Sequence, residues 1–355
     1  MNENILIFGG AGFVGSSLAI FIKENYPSCN IICFDNLRRR GSELNLPRLK
    51  NLNINFIHGD IRFYSDLEPS AFNKIDLIID CSAEPSVLMG YSSPQYVLQT
   101  NLCGTMNILE LCRQTQAKLI FLSTSRVYPI EALKAIDIEE DITRFRIKSI
   151  QSITGVSALG ISEKFPLDGY RSLYGTTKLA SEMLIQEYHY AYDLPTIINR
   201  CGVITGPWQM GKVDQGVFAL WIIAHYFRKN LSYIGYGGTG KQVRDLLHIQ
   251  DLVDLIIYQM TNFTKINGDT FNIGGGIFSS LSLLETTKLC QEITGNFVPI
   301  SSILEERKGD VPIFITDITK VQEKCGWTPK KKPQQILVDI YEWLIQNHEI
   351  LTSVL

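Results

Sequence analysis

Tyr174 and Lys178, in the run Tyr174-Gly175-Thr176-Thr177-Lys178, carry the clearest chemistry in this sequence. On a helix, residues four apart share a face, so the ammonium lies beside the phenol. A tyrosine ionises near pH ~10 in water, and a neighbouring cation favours the phenolate, which can accept a hydroxyl proton near neutral pH. Hydride removal from an alcohol needs such a base. The same spacing also occurs on ordinary exposed helix faces, so the pair draws its meaning from its company. Upstream, Leu119 to Leu122 run into Ser123-Thr124-Ser125-Arg126, an apolar strand ending in hydroxyls. Open parallel sheets place ligands at such carboxyl ends. There Thr124 can hydrogen-bond an oxygen that is becoming a carbonyl, or simply satisfy backbone.

A second constellation lies at the start of the chain. Gly9-Gly10-Ala11-Gly12-Phe13-Val14-Gly15 directly follows the apolar run Ile5 to Phe8 and opens a helical pattern. Glycines allow a tight turn and close approach to a pyrophosphate, and a helix N-terminus offers free N–H groups and a positive dipole. Asp35 ends the second strand-like run, where a carboxylate can accept both ribose hydroxyls of NAD and would repel a 2′-phosphate. NAD is therefore the expected cofactor, with Arg38-Arg39-Arg40 just beyond leaving NADP slightly open. Asp60, after the third apolar run, can accept from an adenine amino group or serve as a turn residue.

These residues need a scaffold, and the chain supplies a pattern for one. Short β-branched runs at Ile5–Phe8, Ile31–Phe34, Ile54–Ile57, Leu77–Ile79, Leu119–Leu122 and Thr196–Ile198 alternate with helical patterns at Gly15–Glu24, Asn101–Gln114 and Tyr174–Tyr192. That alternation predicts an α/β fold, a doubly wound parallel sheet covered on both faces. The rhythm weakens after Gly206. The expected division is a Rossmann domain over 1–205 plus about 246–274, and a smaller interleaved α/β lobe over 206–245 plus about 275–355. Residues 130–169 read as a long insertion over a cleft or a plain surface excursion.

Composition narrows the partners. The 355 residues carry 33 basic and 36 acidic side chains, with no basic block longer than Arg38 to Arg40, which excludes a broad nucleic-acid surface. The 45% hydrophobic content supports a large core. No stretch is long and apolar enough for a membrane span, and no signal peptide is evident. The eight cysteines show no metal-ligand spacing and lie mostly in apolar runs, which fits a reducing cytoplasm.

In order and spacing, the glycine loop, Asp35, the Thr124 strand end and Tyr174-x-x-x-Lys178 resemble the extended short-chain dehydrogenase/reductases that act on nucleotide sugars, over nearly the whole chain. The resemblance implies that Gly9, Gly12 and Gly15 hold the NAD pyrophosphate, with Phe13 and Val14 also at the cofactor, Asp35 and Asn36 the ribose, and Asp60 with Ile61 the adenine. Thr124, Tyr174 and Lys178 would be the catalytic triad, with Tyr174 and Lys178 also touching the cofactor. Asn101, counted with the cofactor site, would support the active-site helix. Ser125 and Arg126 would face the substrate. Arg244, in Arg244-Asp245-Leu246-Leu247-His248-Ile249-Gln250-Asp251, and Arg307 would bind a nucleotide diphosphate.

Within that family, Phe34 to Gly41, Gly206 to Gly216 and Gly240 to Asp245 look most like the CDP-tyvelose (CDP-paratose) 2-epimerases, which makes Gln209 and Gln215 candidate substrate contacts. A CDP-deoxyhexose epimerised at C2, in carbohydrate biosynthesis of the lipopolysaccharide kind, is the substrate so implied. Relatives that eliminate water carry an acidic pair after the catalytic threonine, where this chain has Ser125-Arg126. UDP-sugar 4-epimerases usually carry asparagine at the position of Val203. The other readings are a UDP-sugar 4-epimerase, a nucleotide-sugar dehydrogenase or reductase, and a non-catalytic NAD-binding sensor. Two features depart from the family: Asp80 stands where many relatives have histidine and would alter the field near the cofactor, and the insertion before Tyr174 is long. The resemblance further implies a homodimer through the helices at 101–114 and 174–192, with Leu179, Met183 and Leu184 as seam or ordinary core.

Overall fold

The computed structural model describes residues 2–72, 74–211 and 215–352. The chain divides into two compact units: 1–127, 172–200 and 253–270 form the first, and 128–171, 201–252 and 271–355 the second. Residues 128–171 thus belong to the second unit, whereas the sequence-based boundaries put them with the first.

The apolar runs form the strands of a seven-stranded parallel sheet. They are β1 (Asn4–Phe8), β2 (Asn30–Asp35), β3 (Asn55–His58), β4 (Leu77–Asp80), β5 (Lys118–Thr124), β6 (Thr196–Cys201) and β7 (Thr270–Ile273). Their order is β7-β6-β5-β4-β1-β2-β3. The chain departs in opposite directions from β1, so the carboxyl ends of β1 and β4 flank a topological switch point, where doubly wound sheets bind ligands. The sheet's interior runs are nearly solvent-free because helices cover both faces. Leu6, Phe8, Ile78, Leu119 and Phe121 join Ile108, Leu111 and Ile185 from the helices in one core.

Three helices matter for the site: α1 (Phe13–Asn25), α2 (Gly104–Thr115) and α3 (Leu173–Tyr192). The expected single helix from Asn101 differs from the structure. Gln99–Cys103 is a π-helical turn between a short helix at Pro94–Leu98 and α2. The wider turn leaves the Asn101 carbonyl to accept from Thr105 Oγ1 at 2.8 Å and from Ser181 Oγ of α3 at 3.0 Å. Of the seam residues, Met183 is 64% exposed, whereas Leu184 packs on the core.

The second unit has its own sheet. Val243–His248 pairs in parallel with Val203–Thr205 and Ile313–Phe314, and antiparallel with Ser280–Ser282. Helices Val217–Tyr226, Leu283–Thr294 and Pro333–Gln346 pack on one another. The insertion is ordered by two small antiparallel hairpins, Ile138–Glu140 with Phe145–Ile147 and Val156–Ser157 with Gly160–Ile161. Long-range bonds fix it: Arg144 grips Glu285 and Ser280, and Lys241 pairs with Glu140. Among the described residues no helix is long and apolar enough to cross a membrane.

Candidate active site

Helix α3 begins where Ser172 accepts from the Gly175 N–H, an N-cap that places Tyr174 in the first turn. Tyr174 is half-buried, while Lys178 is only 2% exposed. The Lys178 ammonium lies 3.8 Å from the centroid of the Phe121 ring on β5, a desolvated cation–π contact. Thr124, at the end of β5, accepts the Arg126 N–H at 3.2 Å, which leaves its own O–H to donate. Helix α3 packs against β5 and against the turn Ser125–Val127, so the structure gathers Thr124, Tyr174 and Lys178 on two adjoining elements.

Asn101 holds that arrangement from the other side. Its Oδ1 accepts the Glu84 N–H at 2.7 Å, and its Nδ2 donates to the Glu84 carbonyl at 3.1 Å and to Thr177 Oγ1 at 3.2 Å. Thr177 in turn donates to the Tyr174 carbonyl at 2.9 Å. The asparagine's amide is committed to the β4 exit loop and to α3, so in this structure it supports the helix.

One turn beyond Lys178, Glu182 accepts from Arg200 of β6 at 2.7 Å, and Ser123 of β5 donates to the same carboxylate. All three are buried. A charged pair taken out of water at this depth is costly to break from one side, about 3–5 kcal/mol. It pins α3 to β5 and β6.

The glycine loop fits a dinucleotide by its own geometry. Gly9 has φ +70°, and a Cβ on Gly15 would lie 2.2 Å from the Gly9 carbonyl oxygen. Helix α1 starts at Gly12 with no side-chain cap, leaving Phe13 and Val14 in its first turn. Asp35 accepts from Ala11 N–H at 3.1 Å and Leu37 N–H at 2.8 Å, so it braces the loop with acceptor capacity remaining for ribose hydroxyls. Burial pushes its carboxyl above the usual range, against those backbone donors. Asn36 donates to Asp60 at 3.0 Å, and Ile61 is buried beside them. Burial opposes ionisation of Asp60, but the Arg62 guanidinium at 2.6 Å and the Asn36 amide outweigh it and bring the carboxyl down to about 2.

In the second unit, Arg244 is held by Asp310 at 2.7 Å and by the Val311 carbonyl at 2.7 Å. Asp310 N–H donates to the Arg307 carbonyl at 3.1 Å, so both arginines border one turn. Gln209 spends its amide on its own loop, accepting from Thr205 Oγ1 and donating to the Ile204 carbonyl, each at 2.9 Å. Gln215 is half-buried, and Lys212, Val213 and Asp214 of the same motif lie outside the described residues. The Asp251 carboxylate accepts the N–H groups of Lys330 and Lys331, and His248 Nδ1 accepts the Gln250 N–H at 3.1 Å.

Residues 5–274 match the NAD dependent epimerase/dehydratase family. The CDP-paratose 2-epimerase of Salmonella typhi is 32% identical over 351 residues, 96% of this chain and 98% of that protein. The chain belongs to the NAD dependent epimerase/dehydratase family. It is accordingly an NAD-dependent enzyme of nucleotide-sugar epimerase or dehydratase type. Among solved structures, the UDP-glucose 4-epimerase of Thermotoga maritima, determined with UDP-glucose, superposes with a TM-score of 0.78 at 27% identity, covering 97% of this chain and 99% of that one. The UDP-glucuronic acid 4-epimerase of Bacillus cereus, determined with UDP-glucuronic acid and NAD, shares the fold with a TM-score of 0.78 at 24% identity, covering 97% and 99%.

Three features of this family member were missed from the sequence. Glu182 continues the Tyr174–Lys178 face by one more helical turn, a spacing that was open to notice. Its partners Ser123 and Arg200 emerge only once β5 and β6 are neighbours. Near Asp60, the guanidinium carbons of Arg38 and Arg62 sit 4.0 Å and 5.0 Å from the centroid of the Tyr96 ring, and no local pattern announces Tyr96.

Proposed function

We propose that this enzyme epimerises C2 of a CDP-deoxyhexose of the CDP-paratose/CDP-tyvelose kind. The observation that carries the reading is the 32% identity with a CDP-paratose 2-epimerase across nearly the full length of both chains. The Tyr174, Lys178 and Thr124 arrangement agrees with it, as does Ser125-Arg126 where a water-eliminating relative would carry an acidic pair.

In this reading Gly9, Gly12, Phe13, Val14 and Gly15 hold the pyrophosphate of NAD, Asp35 and Asn36 the ribose, and Asp60 with Ile61 the adenine. Bound NAD supplies a hydride acceptor that later gives the hydride back. Tyr174, as phenolate, takes the proton from the C2 hydroxyl. Lys178 favours that phenolate by its charge, and Thr124 donates to the sugar oxygen as it becomes a carbonyl. The keto sugar turns over, and Tyr174 returns the proton as C2 is reduced on its opposite face. No redox equivalent is consumed.

Arg244 and Arg307 of the second unit take the diphosphate; the Arg244–Asp310 pair must then open or share its guanidinium. Ser125, Arg126 and Gln215 contact the substrate, and Gln209 shapes the loop between them in sequence. A homodimer forms through α2 and α3, whose exposed Met183 suits a partner face. The buried thiols suit the reducing cytoplasm as its place of work.

The second reading, a UDP-sugar 4-epimerase, is favoured by the 0.78 TM-score and 27% identity with a UDP-glucose 4-epimerase. Incubation with CDP-paratose and with UDP-hexoses, followed by proton NMR, separates them. The 2-epimer of the CDP-sugar is expected; its absence alongside conversion of a UDP-hexose to its 4-epimer would replace the first reading by the second.

A further inference from the structure

Asp80 ends β4, in register with Phe8 of β1 on one side and Phe121 of β5 on the other. Side chains at matched positions of parallel strands leave the sheet on one face, so Asp80 emerges beside the Phe121 ring over which the Lys178 ammonium sits at 3.8 Å. The Asp80 side chain is buried, at 1% exposure. Its Oδ1 accepts both the Ser82 N–H at 2.9 Å and the Ser82 hydroxyl at 2.5 Å. Its Oδ2 is fully buried and receives no hydrogen bond from the described residues. A carboxylate oxygen in that position is expensive unless an opposite charge lies near.

Among the described residues, the titratable groups that bear on Asp80 include Lys178 from α3 and the Cys112 thiol from α2. Burial pushes the thiol up, and the nearby carboxylate pushes it further, so Cys112 remains neutral. Burial likewise pushes the Asp80 carboxyl up, and the charge of Lys178 works against that. Of the two neighbours, then, Lys178 carries the opposite charge.

We propose that Asp80 is the counter-ion of Lys178, a positioning residue that keeps the ammonium charged and tempers the field it exerts on the Tyr174 phenol. This rests on the reading of Tyr174 and Lys178 as base and its activator. Two consequences follow from the signs. An anion beside the ammonium makes the lysine hold its proton more tightly, and it offsets part of the positive field at Tyr174. Removing the anion therefore makes Tyr174 more acidic and lets Lys178 lose its proton at lower pH.

The test is an ultraviolet tyrosinate titration of the NAD-loaded protein, with the Tyr174 transition read as the difference between wild type and Tyr174→Phe. In Asp80→Asn, paired with its own Tyr174→Phe control, the transition is expected to fall by on the order of one pH unit. In a Lys178→Met background, Asp80→Asn is expected to leave it unmoved, because the buried carboxyl, without the ammonium that opposes burial, takes up a proton and no longer exerts a field. Should Asp80→Asn fail to fold, Asp80→His, which places there the residue many resembling enzymes carry, gives the same readout and the same expected direction. A transition that stays at the wild-type pH in a folded, NAD-binding variant overturns the proposal, as does an equal shift in the Lys178→Met background. Failure of the parent reading shows differently: full turnover by Tyr174→Phe would remove Tyr174 as base and leave the titration result standing.

Discussion

Replacing Glu182 by glutamine tests whether the buried bond set behind Thr124 holds helix α3 in place. The side chains of Arg200 and Glu182 are 6% and 1% exposed, and their charged atoms approach to 2.7 Å. The amide keeps the shape and removes the charge, so the Arg200 guanidinium is left in the interior without its anion. Breaking such a pair from one side costs about 3–5 kcal/mol, a large share of a domain stability of roughly 5–15 kcal/mol. With a urea dependence of roughly 3 kcal/mol per molar, the unfolding midpoint should drop by about 1–1.7 M. The control is the double variant Glu182→Leu/Arg200→Met, which swaps the pair for apolar groups and should recover most of the loss. The assay is urea unfolding of the NAD-loaded protein followed by far-ultraviolet circular dichroism. A Glu182→Gln midpoint equal to wild type, or a double variant no better than the singles, would refute the reasoning.

Two further outcomes follow from single positions. At Gly15 a methyl group would lie 2.2 Å from one backbone oxygen and 2.8 Å from the Gly10 Cα, so the loop must shift by roughly 1 Å. Gly15→Ala should lower NAD affinity by about tenfold or more, ~1.4 kcal/mol, with the fold intact; wild-type affinity in a cofactor-binding titration would contradict the assigned cradle. Asp245, fully buried and accepting the Gly276 N–H at 3.2 Å, has its carboxyl pushed up to about 6, chiefly by burial. Since the folded value lies above the unfolded one, its contribution is complete below about pH 4 and is lost as pH rises through about 6, on the order of 3 kcal/mol. The stability difference between wild type and Asp245→Asn should shift by that amount, against wild type, between pH 4 and pH 7. A difference constant across the range would show that Asp245 does not titrate so.

The parallel sheet was legible because its strands are buried on both faces and so read as unbroken β-branched runs, from Ile5–Phe8 to Thr196–Ile198. The glycine loop and the Tyr174–Lys178 face were legible for a related reason: each is a local requirement, a turn without Cβ atoms and a helical spacing. What the sequence hid depends on distant neighbours. The π turn around Asn101 carries no residue that demands it; its widened geometry is held by Ser181 and Thr105 on the carbonyl and by Glu84 and Thr177 on the side chain. The insertion looked aperiodic because its hairpins have strands of two or three residues, too short for a pattern, and are fixed by partners such as Glu285 far along the chain. Arg244 was found as a cation, but its pairing with Asp310 needed the strand Val243–His248 to be laid beside Ile313–Phe314.

The most direct measurement of the central claim follows the hydrogen on C2. The enzyme, loaded with NAD, is given CDP-paratose deuterated at C2 in ordinary water, and the product is read by proton and deuterium NMR. The account predicts the C2 epimer with deuterium retained at C2 and no net accumulation of NADH, because the hydrogen leaves and returns as hydride within one active site. Deuterium lost to solvent, or no inversion at C2, would contradict it.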